Sequence, residues 1–364
     1  MNVQVIRSIS DLHIGKNEWN SLVLRDVTSS VFQTYEWFEC WWKAFETRGQ
    51  PLILIARDVN DTIIGIASLI IVQERTEKTV RFCGYNNADY CDFIAPGDKT
   101  EIVKLFLSTL MLPEFEWDRV LLFNLSEVSP TSRIVREFCK ENQYIYSDYP
   151  STPAPYLDVK ASPDAVKRIV KKYSVVRRYR ALKKKGELVF RTLNGGEIYS
   201  YLPVLFEQHI ARWSTERNGS LFNDEHNRVF YTELACMLSK TSWGSFTVLE
   251  CDGKPVGLHY GFVFNNKMIW YKPTFDMNYS KFSPGIVLIK YLIEDAVRNN
   301  LDELDFTIGD EPFKGRFTTD VRCNNNIVIF RGRLNYLFVM AGRRLRGLLK
   351  LMVAKMGYKQ YADS

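Results

Sequence analysis

The chain has few of the residues from which metal sites and disulfide frameworks are built. Its 364 residues include seven cysteines and four histidines. The cysteines are scattered, odd in number and form no Cys-x-x-Cys pair, which argues against a disulfide framework and against a zinc site. We therefore predict a protein without a metal that works in a reducing cytoplasm.

Long apolar runs are also missing. No run approaches the roughly 20 residues of a membrane span, and the first residues lack the apolar segment of a signal peptide. The chain is longer than the roughly 100–200 residues of one typical domain, so two domains are expected.

A net positive charge is missing outside two short segments. The net charge is +6, but residues 167–185 hold ten Lys or Arg and no acid, and residues 331–364 hold eight with Asp363 as the one acid. Residues 334–356 also carry a helical apolar stripe, which fits either an interfacial membrane helix or a helix docked on the protein. Both segments are candidates for contact with an anionic membrane surface or another polyanion, the plain alternative being a solvated basic face.

What the chain does have is an internal repeat. Residues 53–59, 62–73 and 79–83 have the pattern of three strands, followed by an irregular loop, a helix over 99–111 and a strand over 119–125. Residues 245–251, 255–264 and 267–271 repeat this pattern around the hairpin signal Asp252-Gly253, with a helix over 286–298 and a strand over 303–306. Gly65 and Gly257 occupy equivalent strands. The same order of elements in both halves predicts one core present twice.

The second copy carries the more reactive residues. Ser283-Pro284-Gly285 opens a helix, and free backbone N–H groups at a helix start favour a phosphate. The strand that follows the helix ends in clustered acids and two cations, Lys314 and Arg316. We read this as an anion cradle beside a charged site, the alternative being a ligand-free helix start next to a structural ion-pair network.

Several motifs resemble those of a known family. The chain resembles the CelD-like branch of the GNAT acyltransferases, named for cellulose and exopolysaccharide biosynthesis, and more distantly the Fem-type aminoacyl transferases. The matching motifs are Phe32-Gln33-Thr34 with Trp37 and Trp41, Asp89-Tyr90-Cys91-Asp92, His209-x-x-Arg212-Trp213, Gly257, Ser283-Pro284-Gly285, and Asp305-Phe306-x-x-Gly309-Asp310-Glu311-x-Phe313-Lys314. Phe313 stands where the family usually has Tyr.

The resemblance implies a fold and a domain division. The expected fold is α/β, with tandem GNAT-like domains that each contain a mixed, mostly antiparallel sheet flanked by helices. Residues 1–160 would form the acceptor-side domain, 161–330 the acyl-donor domain, and 331–364 a basic amphipathic helix.

The resemblance also implies an activity. The expected function is transfer of an acyl group, acetyl in the simplest case, from acyl-CoA to an amino-sugar. The amino-sugar would belong to a surface polysaccharide or to its lipid- or nucleotide-linked precursor. Neither a metal cofactor nor binding to DNA is expected. A Fem-type transferase that uses aminoacyl-tRNA is one alternative. A non-catalytic scaffold that binds glycan or protein is another.

Thirteen residues are assigned to the expected site. The catalytic candidates are Asp92, His209 and Asp310. Donor binding is expected from Ser283, Pro284, Gly285 and Ile286. Acceptor binding is expected from Asp89, Arg212, Trp213, Glu311, Lys314 and Arg316. For Asp89 and Asp92 the alternative is a turn that shapes a loop, and for His209 it is a hydrogen-bonded core position. Trp37 and Trp41 are expected in the core rather than on a sugar-binding face.

Overall fold

The computed structural model describes residues 1–74, 77–216, 219–333 and 336–337. Within these ranges the chain forms nine α-helices and fourteen strands. The helices are α1 (Lys16–Arg25), α2 (Tyr35–Phe45), α3 (Lys99–Leu110), α4 (Thr131–Glu141), α5 (Pro163–Lys171), α6 (Tyr173–Lys183), α7 (Glu197–Trp213), α8 (Glu225–Leu238) and α9 (Pro284–Arg298). The predicted C-terminal helix over 334–356 lies, apart from residues 336–337, outside the described residues.

The strands form two seven-stranded sheets. The first half supplies β1 (Asn2–Ile6), β2 (Gln50–Arg57), β3 (Ile63–Glu74), β4 (Glu77–Phe82), β5 (Arg119–Leu125), β6 (Ile145–Pro150) and β7 (Ala154–Asp158). The second half supplies β8 (Leu188–Thr192), β9 (Gly244–Cys251), β10 (Lys254–Phe264), β11 (Lys267–Phe275), β12 (Glu303–Asp305), β13 (Asp320–Arg322) and β14 (Asn325–Phe330).

The two sheets have the same architecture. One has the order β1-β2-β3-β4-β5-β14-β6 and the other, written from its far edge, β8-β9-β10-β11-β12-β7-β13. Neighbours pair antiparallel except β4 with β5 and β11 with β12, which pair parallel. The predicted order of strands, loop and helix in both halves is confirmed, and so is the mixed, mostly antiparallel fold class.

Each sheet contains one strand that the other half of the chain supplies. β7 lies in the second sheet between β12 and β13, and β14 lies in the first sheet between β5 and β6. The division at residue 160 stays a prediction, but the sheets exchange a strand across it. Because each half completes the other's sheet, we expect the halves to unfold together.

The aromatic helix α2 fastens the halves to each other. Trp37 and Trp41 are 1% and 0% exposed, which confirms the core position expected from their spacing. Trp37 packs edge-on against Phe230 of α8 and Tyr271 of β11, both in the second half. The loop between β4 and α3 is held by the same interface and reaches the second sheet.

Candidate functional site

Two adjoining cavities open where β11 and β12 part. The parallel pairing of β11 with β12 ends at Ile269 and Asp305. Beyond that point β11 continues to Phe275, whereas the segment after β12 turns away at Thr307. The turn is sharp because Thr307 has φ +55°, an unusual value for a β-branched residue. The cavities measure about 280 Å³ and 200 Å³ and share the wall formed by Arg212, Trp270, Pro273 and Phe313.

The smaller cavity lies at the start of α9. Ser283, in the left-handed conformation at φ +55°, precedes Pro284, and no side chain caps the helix. A Cβ on Gly285 would meet its nearest neighbour, Phe275, at 3.7 Å, so the position is open. Pro284 has no N–H, and the N–H groups of Ile286 and Val287 donate to the Ser283 carbonyl at 3.0 and 3.4 Å. What this helix start offers an anion is therefore the Gly285 N–H and the positive end of the helix dipole.

Basic side chains surround this helix start. Arg178 of α6 donates from Nε to the Ser283 hydroxyl at 3.2 Å. Lys185 and Lys281 lie over the Phe282 ring, at 5.2 and 5.4 Å from its centroid. Sequence reasoning placed Arg178 only in a basic run, because no local pattern indicates which helix a cation will contact.

The larger cavity contains Asp89, which comes from the first half. Burial raises the pKa of this carboxyl, while the charges of Lys272 and Lys314 and the polar side chain of Thr307 oppose the shift. Asp89 is half-buried, so its proton affinity is raised at a position that still borders open space. A carboxyl of this kind can accept a proton from an ammonium group.

Lys314 is a buried cation of this cavity, and Gly309 leaves room for the ion pair that holds it. Lys314 is 4% exposed, and its Nζ lies 2.9 Å from both the Ile308 carbonyl and Glu311 Oε2. A Cβ on Gly309, whose φ is +150°, would lie 2.1 Å from Glu311 Oε2 and 2.2 Å from Lys314 Nζ. A side chain at position 309 would therefore displace the Glu311–Lys314 ion pair, and the φ of +150° favours glycine there.

The α7 side of the cavity carries an aromatic wall and a guanidinium. His209 is 5% exposed, stacks on Trp213, and its Nδ1 lies 2.8 Å from the Ser220 hydroxyl. Burial, together with Lys272 and Arg212, lowers the pKa of His209 to about 3. A histidine with so low a pKa stays neutral at pH 7 and is a weak base, so it serves better as a hydrogen-bonding group.

Arg212 joins the two cavities. Its Nη1 donates to the Pro273 carbonyl at 3.2 Å, and its guanidinium lies 5.2 Å from the Phe275 ring centroid. Burial lowers the pKa of Arg212, although Glu311 opposes the shift. The buried Nε1 of Trp213 has no hydrogen-bond partner among the described residues. Both groups are therefore donors that a ligand can use.

Most of the predicted residues come together. Asp89, His209, Arg212, Trp213, Glu311 and Lys314 line the larger cavity. Ser283, Gly285 and Ile286 line the smaller one, and Pro284 is buried at the first position of α9. Sequence reasoning did not select Lys272, Trp270 and Thr307, which also line the larger cavity. The sequence pattern ended this strand at residue 271, whereas β11 continues to Phe275 and borders both cavities.

Asp92 does not reach either cavity. Its Oδ1 accepts from Thr131 Oγ1 at 2.6 Å, and its Oδ2 lies 3.0 Å from Lys99 Nζ. Lys99 also pairs with Asp26 at 2.8 Å, and all three side chains are at least nine-tenths buried. The carboxylate of Asp92 is occupied by Lys99 of α3 and Thr131 of α4. Its catalytic role stays a prediction, and these contacts favour a structural position.

Asp310 and Arg316 also lie apart from the cavities. Both are exposed, and neither belongs to the lining of the larger or the smaller cavity. The loop turns at Gly309 and points Asp310 to solvent, so the sequence proximity of Asp310 to Glu311 does not translate into a shared site. Within the described ranges, no group of three His, Cys, Asp or Glu side chains could hold a metal ion.

Comparisons with known proteins agree with this geometry. Residues 171–315 match the family model of the acetyltransferase (GNAT) domain, so the second half of the chain contains a GNAT acetyltransferase domain. A comparison with curated protein sequences finds no match.

Solved structures share the fold over nearly the whole chain. The crystal structure of FemX is 10% identical, with a TM-score of 0.66 and coverage of 93% of this chain and 100% of that chain. L-PGS from Bacillus licheniformis is 12% identical, with a TM-score of 0.53 and coverage of 84% and 95%. At these identities the likeness shows the fold alone, which is a tandem GNAT-like fold. Among the described residues, no helix combines the length and the apolar character that crossing a membrane requires.

Proposed function

We propose that the protein transfers an acyl group from acyl-CoA to the amine of an amino-sugar. The observation that carries the proposal is the wall shared by the two cavities, because a donor held at α9 would then lie next to an amine held beside Asp89. Positioning of this kind can supply a large part of the rate of a two-substrate reaction. The second half then binds the donor, and the acceptor lies between the halves.

The smaller cavity fits the polar part of acyl-CoA. The pyrophosphate would lie at the uncapped start of α9, with Arg178 beside Ser283. The hydroxyl of Thr274 lines the same cavity, is 1% exposed, and has no hydrogen-bond partner among the described residues. An amide of the pantetheine arm would form a hydrogen bond with this hydroxyl. Without such a partner, a buried unpaired hydroxyl destabilises the fold.

The larger cavity supplies the groups that the reaction needs. The amine attacks the thioester carbonyl to form a tetrahedral intermediate. When this intermediate collapses, the C–S bond breaks, and the sulfur of CoA takes up the proton that the amine gave to Asp89 and leaves as a thiol. Asp89 takes the proton of the attacking amine, and Lys314 stabilises the oxyanion of the tetrahedral intermediate. His209, whose pKa is lowered to about 3, acts as a hydrogen-bonding group rather than as the base.

The acceptor is assigned to an amino-sugar of a surface polysaccharide or of its lipid- or nucleotide-linked precursor. The assignment rests on the resemblance to the CelD-like branch. Trp213, Trp270 and Phe313 support it, since aromatic rings on a cavity wall fit the apolar face of a sugar.

A specific observation favours aminoacyl-tRNA as a second candidate donor. Nine cations on α5, on α6 and in the residues between and after these helices are exposed, and Arg178 extends this basic face to Ser283 at the start of α9. The nine are Lys167, Arg168, Lys171, Lys172, Arg177, Arg180, Lys183, Lys184 and Lys185. The same face would suit an anionic membrane at which a lipid-linked acceptor is presented. Thermal stabilisation by CoA but not by tRNA would support the proposed donor, and the reverse would support the second candidate.

The proposal is tested by transfer of labelled acetyl from acetyl-CoA to glucosamine and to UDP-glucosamine. We expect transfer by the wild type, loss of at least 100-fold in Gly285→Trp, and unchanged transfer in Gly97→Trp. Gly97 is the matched control because it precedes α3, the equivalent helix, and has open space around it. Absence of acetyl-CoA binding, or full activity of Gly285→Trp, would overturn the proposal.

A further inference from the structure

The second half holds the first-half loop on both sides of Asp89. Two residues before Asp89, the Asn87 carbonyl accepts from the Tyr271 hydroxyl at 2.5 Å, and Asn87 Nδ2 donates to Asn227 at 2.9 Å. One residue after Asp89, the Tyr90 hydroxyl donates to the Asp305 carboxylate, at 2.8 and 2.9 Å from its two oxygens. The position of Asp89 in the cavity therefore depends on residues of the other sheet.

Asp305 has a particular place in this arrangement because it holds two chain segments at once. Its Oδ1 accepts from the Tyr90 hydroxyl and, at 2.7 Å, from the backbone N–H of Thr307. Thr307 is the residue at φ +55° that lines the larger cavity together with Asp89, and its hydroxyl donates to the Trp270 carbonyl at 3.3 Å. One carboxylate thus positions both the chain neighbour of Asp89 and a second residue of the cavity wall.

The surroundings keep Asp305 in place. It is 5% exposed, and Arg322 of β13 lies 3.6 Å from its Oδ2 while forming a two-pronged pair with Glu303 of β12. The Arg322 guanidinium also lies over the Tyr156 ring of β7, at 3.8 Å from the centroid. The carboxylate is therefore fixed by a cluster that spans three strands of the second sheet.

We propose that Asp305 is a positioning residue for the transfer reaction and acts on Asp89 through Tyr90. The inference rests on the proposed function, since it assigns to Asp89 the removal of the amine proton. Asp305 itself lies behind the cavity wall and touches neither substrate. Its effect reaches the reaction only through the placement of the Asp89 carboxyl.

The test compares two contacts between the halves. Tyr90→Phe removes the hydroxyl that binds Asp305, and Arg48→Gln breaks a contact remote from the cavity, 3.2 Å from Arg48 Nη2 to Asp224 Oδ2. We expect kcat to fall about tenfold in Tyr90→Phe, with an unchanged Kd for acetyl-CoA, and to stay within twofold in Arg48→Gln. Equal effects of the two substitutions would overturn the proposal.

A double-mutant cycle shows whether the effect passes through Asp89. In an Asp89→Asn background, Tyr90→Phe should change kcat by less than twofold, because the group that it positions is already disabled. A further tenfold loss in that background would overturn the proposal. Asp305→Asn, which keeps an acceptor oxygen, should retain more activity than Asp305→Ala, and Tyr90→Phe carries the test if Asp305→Ala does not fold.

Hydrogen exchange separates this proposal from the proposed function. If the wild type neither binds acetyl-CoA nor transfers acetyl, the proposed function fails, but exchange in residues 86–92 still reports on the contact. We expect exchange in this segment to be faster in Tyr90→Phe than in Arg48→Gln. Identical exchange in the two variants would overturn the positioning role of Asp305.

Discussion

The equivalent helices α3 and α9 begin in opposite ways. At α3, the Asp98 carboxylate caps the helix by accepting from the Glu101 N–H at 3.0 Å, and Lys99 turns inward to Asp26 and Asp92. At α9 no side chain caps the helix, and Arg178 adds a positive charge beside Ser283. The first helix start is satisfied by its own half and repels an anion, whereas the second is left available to one.

The gaps beside the two parallel strand pairs differ in the same way, since the first is filled and the second is open. Beyond β4 and β5 the first half fills its gap with its own loop, where the Cys91 N–H donates to the Asn124 carbonyl at 3.1 Å and Ile94 pairs with Ile66. Beyond β11 and β12 the second half leaves cavities. We call the first copy of the core the closed copy, since its own loop fills the gap, and the second the open copy. The closed copy supplies stability and contributes Asp89 to the cavity of the open copy.

The largest expected effect is on the closed copy. Lys99→Met leaves Asp26 and Asp92 buried without their cation, so we expect a loss of about 3–5 kcal/mol in the free energy of unfolding. Lys104→Met is the control, because Lys104 pairs with Glu141 at the surface and such pairs contribute at most about 1 kcal/mol. Urea denaturation measures both, and equal losses would break the comparison.

Lys314→Met should affect catalysis more than folding. Its partner Glu311 is half exposed and can be solvated when the cation is removed. We expect kcat to fall about 10²–10³-fold, the usual loss when an oxyanion donor is removed. Denaturation of the same variant should show a loss of only about 1 kcal/mol. A fully active Lys314→Met would show that the cation of the open copy is structural, as Lys99 is in the closed one.

Asp305 gives the open copy a pH dependence. Burial and Glu303 raise the pKa of Asp305 to about 6, against 3.8 for the free group. The folded state therefore holds this proton more tightly, and the contribution of Asp305 to stability is greatest below pH 4 and is lost as the pH rises to 6. Relative to the wild type, the free energy of unfolding of Asp305→Asn should therefore rise by roughly 1–3 kcal/mol as the pH is raised from 4 to 7. Denaturant titrations across this range measure the difference, and a gain of the opposite sign would contradict the assignment.

The smallest expected effect separates the two equivalent glycines. A Cβ on Gly65 would lie 2.6 Å from Ile102 Cγ2 of α3, whereas one on Gly257 would meet its nearest atom at 3.7 Å. Gly65→Ala should therefore destabilise by about 1–3 kcal/mol through overpacking, and Gly257→Ala should be close to neutral. Thermal unfolding of the two variants decides whether the closed copy is also the more tightly packed.

The sequence was informative where local chemistry decides the outcome. Asp252 and Gly253, at φ +49° and +73°, form the hairpin turn expected from their residue types, and the repeat that surrounds it is confirmed. The exchange of β7 and β14 could not be predicted, because a strand pattern does not name its partner strand. Asp89 and Asp92 lie three residues apart in one loop, and only the fold shows that Lys99 takes Asp92 and leaves Asp89 to the cavity.

We propose that the chain has one acyl-donor site and that it lies at α9. Calorimetric titration with acetyl-CoA tests this most directly, with the wild type, Gly285→Trp and Gly97→Trp measured side by side. We predict one site per chain in the wild type and in Gly97→Trp, and no binding to Gly285→Trp. Two sites per chain, or binding that persists in Gly285→Trp and is lost in Gly97→Trp, would show that α9 does not hold a single donor site.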